Sequence, residues 1–290
     1  MTSLDHLPRV RRALRRARQR YARTRDTLPA PVLRFGRWVR GPEFFTVAAS
    51  LAFYAMISLP PMVLIAFWIA GAFVDASALE GLGSEVSGQT PEQLPVGEVL
   101  RALIDIASRA GPLAVLSAAW PATAYGAALA RAFTQVAPQS ERQIRGWRGR
   151  LLALVLIAVL PLVVFSALAT LYVVPRLFGT GWALTALLGL GAFVVLALVI
   201  ALVYALFQLR DTRWHDVAFG ALIAAGLVAV TTAGYLVYLR FFADFSDRYG
   251  TSSLATAVLL GLWLLLGNAV LLVGYRLMLR RAIRRHEAGG

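Results

Sequence analysis

The chain has 290 residues, 59% of them hydrophobic, with a mean hydropathy of +0.67 and a formal net charge of +14. That is too apolar for a soluble protein folded around one core, and the apolar residues fall in long uncharged blocks, so the class is an all-α polytopic membrane protein. Cysteine is absent, which excludes disulfides, thiolate metal sites and a cysteine nucleophile, and all 29 basic residues are arginine.

Residues 1–43 hold twelve arginines against Asp5, Asp26 and Glu43. Val10, Leu14, Ala17 and Tyr21 recur at helical spacing, which predicts a basic amphipathic helix. Such a helix suits anionic inner-leaflet headgroups, where each arginine near the surface contributes on the order of 1 kcal/mol. A second short piece, Val32, Leu33, Phe35, Trp38 and Val39, leads into the first apolar block. The leader is too long and basic, and the following apolar run too extended, for a cleavable signal peptide.

The first span is expected over 44–74. Thr46 to Ile69 carries no charged side chain, and the widened block makes a helix roughly 45 Å long, more than a hydrocarbon core of about 30 Å. Ala48, Ala49, Ser50, Ala52 and Ser58 form a line of small or hydroxylated residues, and Pro60-Pro61 sits near the middle. Proline removes an amide donor and crowds the preceding turn, so the segment is expected to bend or break at about Ser58, with other helices satisfying the freed carbonyls. This gives a proline-broken first helix that needs a partner bundle.

Residues 75–111 are acidic and rich in Gly, Ser, Gln and Pro as far as Pro95, and read as an outer loop with one amphipathic helix, Val96–Ala107. The second span, 112–132, is interrupted by Trp120-Pro121. Arg142, Arg145, Arg148 and Arg150 then mark an inner loop. The third span, 151–174, and the fourth, 182–207, are separated by a short turn and should pair as a hairpin. A basic loop with Arg210 and Arg213 leads to the fifth span, 217–239. An aromatic, acidic loop (240–250) precedes the sixth, 253–279, and the basic tail 280–290 follows. The tails and inner loops hold 22 of the 29 arginines, so the positive-inside rule predicts six transmembrane helices with cytoplasmic N- and C-termini. The same distribution accounts for the net charge without nucleic acid.

The residues that could carry chemistry within the spans are polar rather than charged. Asn268 is the only asparagine in the chain and lies inside the sixth span beside Gly267. An amide without partners costs several kcal/mol in hydrocarbon, so it should face the bundle, either as helix glue or as part of a polar path. Tyr54, Ser58, Pro60 and Pro61 in the first span, Tyr125 in the second, and Thr231 and Thr232 in the fifth are candidates for the same lining. Tyr204 and Tyr235 are discounted as interfacial anchors. Arg131 and Arg276 come late in spans expected to end inside, and either snorkel to the headgroups or grip a lipid phosphate between helices. His6, His215 and His286 are scattered over tails and a loop, and Asp211 and Asp216 are expected to cap the fifth helix. No phosphate-binding glycine-rich loop is present, and no catalytic residue, metal or cofactor is assigned.

Three blocks, AASLAFYAMISLPPMVLIA at 48–66, LRDTRWHDVAFGALIAA at 209–225 and YGTSSLATAVLLGLWLLLGNAVLLVGYRL at 249–277, resemble the YihY/BrkB family of bacterial inner-membrane proteins over about residues 40–280. Where many members have Gly-Ala-Glu near the end of the sixth span, this chain has Gly274-Tyr275-Arg276, an acidic-to-basic change. The resemblance implies a six-span protein of the bacterial inner membrane with a role in envelope integrity and in transport of a lipid or other amphiphile. It also brings a former ribonuclease label, regarded as a misassignment. The expectation is a non-enzymatic translocator of an amphiphilic anion, with membrane lipids and anionic headgroups as partners. A non-transporting scaffold docking an envelope protein partner is the alternative.

Overall fold

A computed structural model of the protein describes residues 36–73, 81, 96–137, 146–168, 181–208, 212–242 and 252–288. The expected basic helix through Tyr21 lies outside them. The chain divides into two units, residues 1–46 and 47–290. Within the first, the Trp38 and Phe44 rings pack edge to face at 4.7 Å, and the Thr46 hydroxyl donates to the Pro42 carbonyl.

The helices are α1 (Pro42–Ala70), α2 (Val96–Arg109), α3 (Pro112–Ala122), α4 (Ala124–Val136), α5 (Gly146–Leu168), α6 (Trp182–Leu206), α7 (Trp214–Phe242) and α8 (Ser252–Ala288). Among the described residues, five segments are long and apolar enough to cross a membrane: Pro42–Ala70, Pro112–Val136, Ala186–Leu206, Trp214–Leu239 and Ala257–Arg285. Helix α5 occupies the place of the expected third span, whose last residues lie outside the described ones.

Of the two expected helix breaks, one is corrected and one is found. Helix α1 is not broken at Ser58; it continues through Pro60 and Pro61 to Ala70. Proline's fixed φ is itself a helical value, and two adjacent prolines confine the missing amide donors to a single turn. The second span is interrupted as expected, by a turn at Thr123 that separates α3 from α4. The turn lies two residues beyond Pro121, near the middle of Pro112–Val136.

The principal packing is of α7 on α8, α6 on α7 and α4 on α5. Glycines set two of these contacts. A Cβ on Gly126 in α4 would collide with Ala153 and lie 2.5 Å from the Gly149 carbonyl oxygen in α5. A Cβ on Gly274 in α8 would lie 2.6 Å from the Ala224 Cβ in α7. Small residues let backbones approach where lipid offers no hydrophobic drive for helix association. Helix α1 joins through two apolar clusters: Ile65 with Ala122 and Ile157, and Ala52 and Ala55 with Leu264. At the end of α1, the Trp68 indole donates to the Ala110 carbonyl after α2 (3.1 Å).

Candidate functional site

A helix interrupted in hydrocarbon leaves backbone groups that something must satisfy. Ser58 does so here. Its hydroxyl donates to the Pro121 carbonyl at 2.8 Å and accepts from the Tyr125 amide at 3.1 Å. Those two groups are an i, i+4 pair that an unbroken helix would join directly. A side chain of α1 is thus spliced into the backbone ladder of the second span, and Ser58 is completely buried.

The polar chain continues from there. The Tyr125 hydroxyl donates to Asn268 Oδ1 at 2.7 Å, and Asn268 Nδ2 donates to the Leu264 carbonyl one turn back in α8 (2.8 Å). Ser58, Tyr125 and Asn268 therefore link α1, α4 and α8. Trp263, packed against the same cluster, donates its indole N–H to Thr232 of α7 at 3.3 Å. Thr231 is half-buried beside Thr232, Pro61 is half-buried and Pro60 is exposed. Tyr54 is half-buried and carries the Arg131 guanidinium 5.4 Å from its ring centre. Arg131 itself is exposed, and Arg276 is half-buried one residue past Tyr275. The structure thus joins Ser58, Tyr125 and Asn268 directly, reaches Thr232 through Trp263, and pairs Arg131 with the Tyr54 ring one turn before Ser58.

A double-mutant cycle measures this junction. Tyr125→Phe and Asn268→Leu should couple by about 0.5–2 kcal/mol, read from unfolding of the purified protein in mixed detergent micelles. Strictly additive losses would mean that the 2.7 Å contact contributes nothing.

Other expectations change. Tyr204 and Tyr235 are not interfacial anchors. Both are buried, and they donate to the carbonyls of Leu271 (2.6 Å) and Leu259 (2.8 Å). Tyr204 edges Phe133, which stacks on Tyr275 at 3.9 Å. The Tyr275 hydroxyl donates to the Phe207 carbonyl. The Gly274-Tyr275-Arg276 departure therefore places a buried aromatic at its centre. Asp216 is not the residue that caps α7; it sits in the first turn, buried, with its Oδ1 3.1 Å from Arg285 and 3.4 Å from Arg281. These are charge pairings rather than aligned hydrogen bonds. Asp211 lies outside the described residues, and His215 is exposed.

Arg148 and Arg150 were expected in the inner loop and lie instead in α5; of the two, Arg150 bears on the site. Its Nη1 donates to the Trp120 carbonyl at 3.2 Å and approaches the Thr123 hydroxyl at 3.4 Å. The guanidinium lies 3.9 Å from the Trp120 ring centre. A legible signal existed for Asp216: an acid opening one span and arginines at i and i+4 closing the next. None existed for Arg150, because its depth is set by the close approach of Gly126 and Gly149.

No curated protein and no solved structure matches the chain. The family model described as "Virulence factor BrkB" matches residues 39–289, which takes in every helix from α1 to α8. With its membrane-length helices and this match over most of its length, the chain belongs to the YihY/BrkB family of multi-pass membrane proteins.

Proposed function

We propose that the protein is a non-enzymatic translocator of an amphiphilic anion, a lipid class, in the bacterial inner membrane, with six spans and both termini cytoplasmic. The observation that carries this reading is the mid-span break in the second helix, whose backbone is completed by Ser58 of another helix. Discontinuous spans near the membrane's middle are where transporters place substrate groups, because freed backbone donors and acceptors are available there. The Ser58–Tyr125–Asn268 chain adds hydroxyl and amide groups that can trade partners with a passing polar headgroup without any change of charge. Arg131 and Arg276 lie toward the inner ends of their spans, where they suit an anion arriving from the cytoplasmic leaflet.

The test is headgroup-labelled phospholipid in sealed liposomes with an impermeant quencher. Protein-dependent loss of the protected signal is expected, reduced about tenfold or more in Asn268→Leu and Arg276→Ala at equal folded protein. Rates equal to those of empty liposomes would overturn passive lipid movement. Wild-type rates in both variants would overturn these path residues.

A further inference from the structure

Arg150 stands in an environment that the translocator reading does not use. Thr123 lies near the middle of the Pro112–Val136 span, and Arg150 reaches it from α5. One residue earlier in α5, Gly149 packs beside Gly126, Ala127 and Ala130, on the inner side of Thr123 in that span. The guanidinium thus extends toward the membrane's middle, opposite to the direction a snorkelling arginine takes. Trp120, on which it stacks, is 71% exposed on the apolar surface. Only Nη1 of the guanidinium makes hydrogen bonds among the described residues, and no carboxylate there pairs with it; the ion pairs found are Asp105 with Arg109 and Asp216 with Arg281 and Arg285.

A guanidinium at this depth, with no counter-charge among the described residues, is strongly disfavoured in hydrocarbon, and intramembrane charges mark functional sites for that reason. Its planar fork is only partly used, on one carbonyl and one hydroxyl. The remaining donors suit a tetrahedral oxyanion, which arginine holds through two parallel hydrogen bonds. The Thr123 hydroxyl donates to the Trp120 carbonyl at 2.9 Å and can turn toward an added acceptor. The exposed indole supplies apolar surface for the segment that carries the anion.

We infer that Trp120, Thr123 and Arg150 form a phosphate-binding site at the break in the second span, taking the phosphate group of an amphiphile. The site deepens the translocator reading and rests on it for the role of the bound anion, but binding can be measured without transport. The competing account is a purely structural clamp, in which Arg150 does no more than satisfy the Trp120 carbonyl.

The experiment uses the full chain, purified in detergent and stripped of lipid, with bound molecules counted by native mass spectrometry. Phosphatidylglycerol is titrated in one arm, diacylglycerol with the same acyl chains in a second, and inorganic phosphate as competitor in a third. The expected result is one tightly held phosphatidylglycerol per chain. Its half-saturation should rise about tenfold or more in Arg150→Gln, which loses the charge and the paired bonds of the fork, and less in Arg150→Lys, which keeps the charge without the fork. Thr123→Val provides a second variant with the guanidinium intact and should weaken binding by a few fold. Diacylglycerol should bind weakly and without dependence on residue 150. Displacement of the lipid by millimolar inorganic phosphate would support the phosphate site and assign it to a soluble source; resistance to displacement assigns it to lipid. Equal half-saturation in wild type and all three variants, or diacylglycerol binding as well as phospholipid, would overturn the site and leave the clamp. Lost phosphate binding in Arg150→Gln would support the site even if Asn268→Leu liposomes translocate normally, so failure of one reading is not failure of the other.

Discussion

Replacing Ser58 with alanine should destabilise the folded protein by about 2–4 kcal/mol, because it takes a hydrogen-bond partner from a carbonyl and an amide together. The Tyr125 N–H depends on this hydroxyl and the Pro121 oxygen loses its side-chain partner, and a buried group left unpaired costs about 1–3 kcal/mol. No water is at hand to replace the hydroxyl, since Ser58 is fully buried. Threonine keeps the oxygen but adds a methyl to a tightly packed position, so Ser58→Thr should fall between alanine and wild type. Unfolding in mixed micelles, or the temperature at which the monodisperse chromatographic peak is lost, would check the order. Stability unchanged in Ser58→Ala would mean that α3 and α4 close into one continuous helix when the hydroxyl is removed. The serine would then hold the break open rather than repair it. Amide exchange at Tyr125 separates the two cases, since a rejoined helix protects that amide and an orphaned one exchanges faster.

Gly274→Ala is expected to be at least as damaging, about 3 kcal/mol or more, although the change adds one methyl group. The new Cβ would lie 2.5 Å from the Tyr204 hydroxyl, 2.6 Å from the Ala224 Cβ and 3.0 Å from the Gly220 carbonyl oxygen. Neither a helix backbone nor an alanine Cβ can rotate away, so α7 and α8 must separate along their most extensive contact. The displaced Tyr204 would also lose its 2.6 Å bond to the Leu271 carbonyl. Gly261→Ala in the same helix is the control: no atom lies within 4 Å of its Cβ position. That variant should stay within about 0.5 kcal/mol of wild type or gain slightly from the better helix propensity of alanine. Equal effects at both positions would show that helix propensity, not the α7–α8 approach, controls the outcome.

The elements were legible to different degrees, and the differences have physical causes. Helix α2 was readable almost to its ends, Val96–Ala107 against Val96–Arg109, because it alternates apolar and charged faces at helical spacing. Helices α6 and α7 were equally readable as apolar blocks bounded by polar residues. Which side of them faces protein was not, since a span that is apolar all round carries no periodic mark of its buried face. Tyr204 and Tyr235 illustrate the point: nearness to a span end suggested anchors, whereas helix rotation turned both inward onto neighbouring carbonyls. The candidate site was half legible. Asn268 stood out as a lone amide in hydrocarbon, and Ser58 and Tyr125 were visible as polar residues in apolar runs, but nothing in their spacing said that they meet.

What the sequence alone determined is the membrane class, the order of the apolar helices and the polar residues that must turn inward. These follow from the transfer free energy of each segment, a local quantity that needs no partner to define it. Only the tertiary structure decided which of the two proline-marked spans breaks and what repairs the break. Both spans one and two contain prolines, yet α1 runs through Pro60-Pro61 and the second span opens at Thr123. In the second span the Ser58 hydroxyl and Arg150 accept or supply the backbone hydrogen bonds that the break releases. Those donors come from helices distant in sequence, brought within reach by glycine contacts such as Gly126 with Gly149, and so the break is a property of the bundle rather than of the proline-bearing segment.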